Sequence, residues 1–316
     1  MAYKAKIVPV KVCGAKGSCG TQAMINGITW AVDHGAKVIS MSIGPVEGQT
    51  IYDDLGKYAR NNGALLMIAT GNDNQDYTDS SWVSGSDNII FVGSSGKTDV
   101  KSGFSAYGQM LDLTAPGESI LTTKKGSNST GTFSGTSAAT PVVSGLVAQL
   151  MSVASFSPAQ VERIMFQTAK DLGTVGWDKL YGWGRIDPAA ALMAANVNKN
   201  DKTVPTISNV ALAVVSPSSF TVTWDTNELT DSVVQYGLTT SYDRIVGSAT
   251  MTTHHVVTIS DAYSNSVYHV RVIPADAAGN IAYGSDRTIT TPIAPVYPVI
   301  SAVKAVVASG YQAKIT

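Results

Sequence analysis

The sequence predicts two parts of different class, an α/β unit with a parallel sheet flanked by helices and then an all-β sandwich. Two observations carry this. Through Ala195, short β-rich runs alternate with segments of helical period, the pattern of strands joined by helical crossovers. Beyond Pro205 the helical period disappears, and strand-like runs follow one another with turn residues between them. Hydrophobic residues at 44% and charged residues at 14% supply enough apolar surface for both cores and exclude a disordered chain.

In chain order, Lys6–Val12 reads as a strand and Thr21–His34 as a helix, with Thr21 as cap and Met24, Ile25, Ile28, Ala31 and Val32 on one apolar stripe. Lys37–Met41 reads as a buried strand and Ile51–Asn61 as a helix stopped by Asn62-Gly63. Ala64–Ala69 and Ile89–Gly93 are further strands, and Ser119–Lys124 with Gly131–Ser134 forms a hairpin. A long apolar helix spans Thr136–Val153, Ser157-Pro158 opens another that ends at Thr168, and Pro188–Ala195 is a short alanine-rich helix. In the second part Ile207–Val215, Ser219–Trp224, Ser232–Tyr236, His255–Ser260, Val267–Pro274 and Ser285–Thr290 read as strands. Trp224, Tyr236 and Tyr268 fit its core, with exposed aromatics that hold glycans as the alternative, and Asp276 to Asn280 fits a turn, with a cation loop as the alternative.

Net charge is −1 with no basic stripe, which argues against a nucleic-acid partner. No apolar run approaches the roughly 20 residues of a membrane span, and Met1–Lys6 does not read as a signal peptide. Cys13 and Cys19 close a small loop or stay as free thiols; their spacing allows both.

The segment Gly135-Thr136-Ser137-Ala138-Ala139-Thr140-Pro141 carries the chemistry. A serine in the first turn of a helix sits among free backbone N–H groups at the positive end of the helix dipole, and both favour a developing oxyanion. This segment resembles the nucleophile motif of the subtilases, the subtilisin-like serine proteases, and the resemblance makes Ser137 the nucleophile. Ala69-Thr70-Gly71-Asn72 resembles the oxyanion segment of that family, with Asn72 as amide donor. Ser40-Met41-Ser42-Ile43-Gly44 resembles the segment that pairs with substrate. The resemblance implies that Ser42, Ile43 and Gly44 line one wall of a roomy primary pocket and Ala69, Thr70 and Gly71 the other. Ser102–Ser105, Leu113–Gly117 and Tyr181–Asp187 match further family elements in the same order.

The family's other two catalytic elements, an Asp-Thr/Ser-Gly and a His-Gly-Thr-His, do not occur in this sequence. His34, His254, His255 and His269 do not fall in a matching context. The resemblance begins at Ala2, so an N-terminally incomplete catalytic domain over 1–196 is expected, inactive alone, with a linker over 197–204. Residues 205–292 resemble a fibronectin type III-like sandwich, and 293–316 repeat its opening strands, so a second, truncated copy is expected. The resemblance implies protein or peptide substrates and a secreted or cell-surface parent. It also implies a structural Ca²⁺ in many members, although no metal residue is assigned here. Sandwich modules of this kind suggest contact with a cell surface or polysaccharide, and a pseudoprotease scaffold is the alternative reading.

Overall fold

A computed structural model describes residues 2–15, 17–44, 51–78 and 88–295, and the backbone of 305–308 and 312–315. Four strands, β1 (Val38–Met41), β2 (Leu65–Ala69), β3 (Ile89–Ser95) and β4 (Leu113–Pro116), form one parallel sheet in sequential order. Their registers run Met41 beside Ile68, Ala69 beside Val92 and Ser95 beside Pro116. β2 and β3 are buried at every position, as strands covered on both faces must be.

Helices α1 (Thr21–Asp33) and α2 (Ile51–Asn61) cover one face. The other face carries α3 (Thr136–Val153), α4 (Pro158–Thr168) and α5 (Pro188–Asn198). α3 is long and apolar enough to cross a membrane by composition, but half of it is buried in this core. Ser157 and Gln160 close a capping box at the start of α4, which fixes where that helix begins. Strands β5 (Ile120–Thr123) and β6 (Thr130–Phe133) form the expected hairpin just before α3.

Several expectations need correction. Lys6–Val12 is extended but joins no ladder, because a strand needs a partner and none lies beside it among the described residues. Val10 and Val12 lean on α1 at Gly27, while Ile7 and Val8 stay 88% and 51% exposed. β1 is likewise an edge of the sheet. Thr21 is the first helical residue and Gly20 the cap, without a side-chain bond. α5 continues through Asn198, so the first residues of the expected linker are helical. Cys13 and Cys19 form a disulfide.

The second part holds β7 (Ile207–Ser216), β8 (Ser219–Gly237), β9 (Arg244–Ile259), β10 (Val267–Val272) and β11 (Arg287–Thr290), all antiparallel. Two strands read separately from sequence are the halves of β8, and β9 starts eleven residues earlier than expected. Register shifts near Thr230 bend the long pair. Phe220, Trp224 and Ile259 from one half then close on Tyr236, Tyr268 and Ile289 from the other in a single core. Trp224, Tyr236 and Tyr268 are buried there, so their rings are not available to a glycan. Strands β12 (Ala305–Ala308) and β13 (Gln312–Ile315) pair antiparallel; the rest of the expected second copy after Pro295 lies outside the described residues.

Candidate active site

The carboxyl ends of β1 and β2 and the first turn of α3 meet at one place. In a parallel sheet flanked by helices this is where ligands bind, because strand ends and helix N-termini converge there. β1 runs into Ser42–Gly44, β2 into Thr70–Asn72, and the β6–α3 turn carries Gly135–Ser137. The amide of Gly135 donates to the carbonyl of Gly117, 2.9 Å away, which hangs the turn on the segment after β4. Gly135 has φ +152°, a conformation in which a side chain is strained, and a Cβ there would lie 3.5 Å from the Asn72 amide.

Asn72 is exposed and firmly held. Its Oδ1 accepts from the Thr136 amide at 2.8 Å and from the Thr136 hydroxyl at 3.1 Å, capping the start of α3. This leaves Nδ2 as the free end of the amide, with no protein partner among the described residues. One side chain thus fixes the helix terminus and presents a donor beside it.

Ser137 and Ser42 clasp each other. The Ser137 hydroxyl donates to the Ser42 carbonyl at 3.1 Å, and the Ser42 hydroxyl donates to the Ser137 carbonyl at 2.9 Å. The second bond follows from Pro141. A residue four places on would normally bond the Ser137 carbonyl with its amide, and proline has none. Ser42→Ala is expected to destabilise the chain by about 1 kcal/mol, read as a lower urea midpoint, because the orphaned carbonyl loses its donor.

Gly44 and Gly71, from the two expected walls, approach each other closely. A Cβ on Gly44 would sit 3.5 Å from the Gly71 Cα, so the segments touch there. Thr70 is buried, its hydroxyl turned to the Val92 carbonyl, and Ile43 packs on the α1–α2 core.

No histidine reaches Ser137. His34 ends α1, stacks on Trp30 at 4.0 Å and bonds the Trp30 carbonyl through Nδ1. His254 pairs with Asp225 and His269 with Asp286, and His255 is enclosed by Thr226, Thr230 and Ser232. Asp112 accepts from the Phe91 amide and Asp53 from Asn88. Elsewhere, Asp201, Glu228 and Asp276 each bring a carboxylate oxygen within 4.8 Å of the others. The Asp276 carboxylate is already engaged by the Ala278 and Asn280 amides and by the Asn280 side chain, so this turn closes with protein groups alone. Burial, with Asp276 and Asp201 nearby, pushes the Glu228 carboxyl up.

The Subtilase family model matches residues 1–184, more than half of the chain. The chain belongs to the subtilase family. Subtilisin-like protease 1 of Trichophyton verrucosum is 40% identical over 182 residues, covering 55% of this chain and 44% of that protein. Its counterpart from Arthroderma otae is 38% identical, covering 55% and 36%. Among solved structures, a protease from Pseudoalteromonas arctica aligns with a TM-score of 0.55 at 30% identity, covering 61% of this chain and 64% of that one. A lanthipeptide protease aligns at 0.53 with 25% identity, covering 58% and 69%. The chain therefore spans less than half the length of these fungal relatives.

The subtilase elements explain the remaining motif matches. Tyr181–Asp187 lies along the open edge of β4, with Thr114 donating to the Gly184 carbonyl and Ile186 to the Thr114 carbonyl. Sequence reasoning singled out Ser137 and Asn72, which meet at the start of α3, but it missed Ser42 as a partner of the Ser137 carbonyl. Pro141, four residues after Ser137, was the available signal.

Proposed function

We propose that this chain is the nucleophile-bearing part of a secreted serine endopeptidase that cleaves protein or peptide substrates through an acyl-enzyme on Ser137. The arrangement of Asn72 carries the reading: its oxygen is anchored to the Thr136 amide and hydroxyl at the α3 terminus, which leaves its N–H end beside the turn that carries Ser137. The Ser137 oxygen would attack the scissile carbonyl, and the carbonyl oxygen would take the negative charge. Asn72 Nδ2 and the backbone N–H groups of the first turn of α3 would then receive that charge. Substrate would lie extended along Ser42, Ile43 and Gly44, with Ala69, Thr70 and Gly71 on the other side.

The proton of Ser137 must leave for attack to proceed, and the Ser42 carbonyl that accepts it is not a base. The chain alone is therefore read as inactive. A segment bearing Asp and His, seated on the open edge of β1 beside unpaired Lys6–Val12, would supply the missing groups. The same engaged histidines favour a second reading, a non-catalytic scaffold. The β-rich part is read as a fibronectin type III-like module on the motif resemblance of residues 205–292.

A fluorophosphonate probe tests the site without requiring turnover. Slow labelling confined to Ser137 is expected, absent in Ser137→Ala. Asn72→Asp keeps an acceptor for the Thr136 amide but removes the donor. It is expected to slow labelling by ~10²–10³, the range established for oxyanion-hole donors, subtilisin among them. Labelling at another residue, or a rate unchanged in Asn72→Asp, sinks the reading.

A further inference from the structure

The strongest feature outside the serine site is the contact between α4 and the sandwich. Gln160, Arg163 and Gln167 fall on one stripe of α4, three and four residues apart. Each bonds to the sandwich. Gln160 Nε2 donates to Asn280 at 2.9 Å. The Arg163 guanidinium donates to Asp231 and to the Ile273 carbonyl, both at 2.7 Å. Gln167 Nε2 donates to the other Asp231 oxygen at 2.8 Å and to the Asp276 carbonyl at 2.9 Å. The Ala275 amide completes the shell around Asp231. Arg163 and Asp231 are 3% and 2% exposed.

Three more observations agree. Val233 and Ile273 of the sandwich belong to the same apolar core as α3, α4 and α5. Gly279 has φ +76°, and a Cβ there would come within 2.7 Å of the Gln160 carbonyl, so backbone meets backbone. Two separate points, the Trp177 amide on the Gly247 carbonyl and Asn198 on the Ala277 carbonyl, pin the surrounding segments. Domains joined only by a tether meet through small, polar, solvated surfaces. This contact is buried, shares a core and holds a paired charge.

Burial raises the Asp231 carboxyl above its usual range, against the pull of Arg163. Stripping water from two charges offsets much of their attraction, as is common for buried pairs. Such a pair does more to select one docking geometry than to add stability.

We propose that α4 is an interaction surface built for the sandwich of this same chain. The two parts fold and unfold as one cooperative unit, and Arg163 with Asp231 sets the docking register. The inference is independent of whether Ser137 is catalytic.

Hydrogen exchange by mass spectrometry on the full chain, across a urea series, tests it. Peptides covering α4 and β10 are expected to lose protection at the same urea concentration and with the same slope. Asp231→Ala strands a buried guanidinium and is expected to lower protection in both peptides together, by about a hundredfold or more. The paired change Arg163→Met with Asp231→Leu removes both charges at similar volume and is expected to recover most of that loss. Should Asp231→Ala fail to fold, the unmodified chain and the paired variant decide the question by themselves. Separate urea transitions for the two peptides, or a loss confined to one of them, overturns the proposal.

Discussion

Casein incubated with the purified chain is expected to stay intact, with turnover about 10⁶-fold below that of an enzyme holding the full Ser, His and Asp set. That figure is the one established for subtilisin itself. The reasoning is a proton balance. Attack by Ser137 releases one proton, and expulsion of the amine leaving group requires one. A neutral imidazole within hydrogen-bond reach normally serves both steps. Here the hydroxyl donates to a backbone carbonyl, and each of the four histidines is engaged elsewhere. On the proposed reading, what remains is charge stabilisation by Asn72 and the α3 terminus, expected to be worth ~10³–10⁴ over water. Such a rate is visible with an activated probe and invisible with casein. Casein cleavage that disappears in Ser137→Ala would show that a base is present after all.

The parts of the fold that were legible in the sequence are those whose causes are local. α2 and α3 match the reading end to end, because apolar period, Asn62-Gly63 and the Gly135 turn mark their limits. Elements whose causes are distant were misread. Lys6–Val12 has the composition of a strand, but a strand exists only with a partner, and composition does not report one. The start of β9, through Gly247, Ser248 and Thr250, is too small and polar to look buried, and it forms because β8 runs beside it. Asn198 looks like a linker residue, yet like Asn196 it turns its amide back onto an α5 carbonyl within the helix. Nothing near Arg163 in the sequence marks its role, because its partner Asp231 is 68 residues away. At the site the same division holds. Ser137 and Asn72 stand in short motifs, whereas the contact of Gly44 with Gly71 depends on how β1 and β2 register.

Acid is expected to destabilise the chain by about 3 kcal/mol between pH 6.5 and pH 4 through His255 alone. The ring is fully buried, stacked on Trp224 at 4.6 Å, with Nδ1 on Ser232 and Nε2 on Thr226 and Thr230. Burial, with the neighbouring His254 adding to it and Asp225 opposing, pushes its pKa down to about 4. Above pH 6.5 the ring is neutral in folded and unfolded chains and contributes no pH dependence. As pH falls, the unfolded chain takes up the proton first and is favoured. Below pH 4 the folded ring also titrates, and the loss stops growing. The window separates this loss from that of the carboxylates held below their usual range, while Glu228 and Asp231, raised by burial, take up protons first in the folded chain and so act in the opposite direction. Asp225 is held below its usual range by bonds from Asn209 and His254, and Asp286 by bonds from His269 and Tyr242, so their contributions are lost only at lower pH. Urea midpoints at pH 7.5 and pH 4.5, compared between the chain and His255→Gln, read the difference directly. The variant should start less stable and lose less on acidification, since glutamine keeps a polar side chain but binds no proton. An equal loss in both would mean that the ring is solvated or already charged, and that the enclosure by Trp224 and the three hydroxyls does not hold in solution.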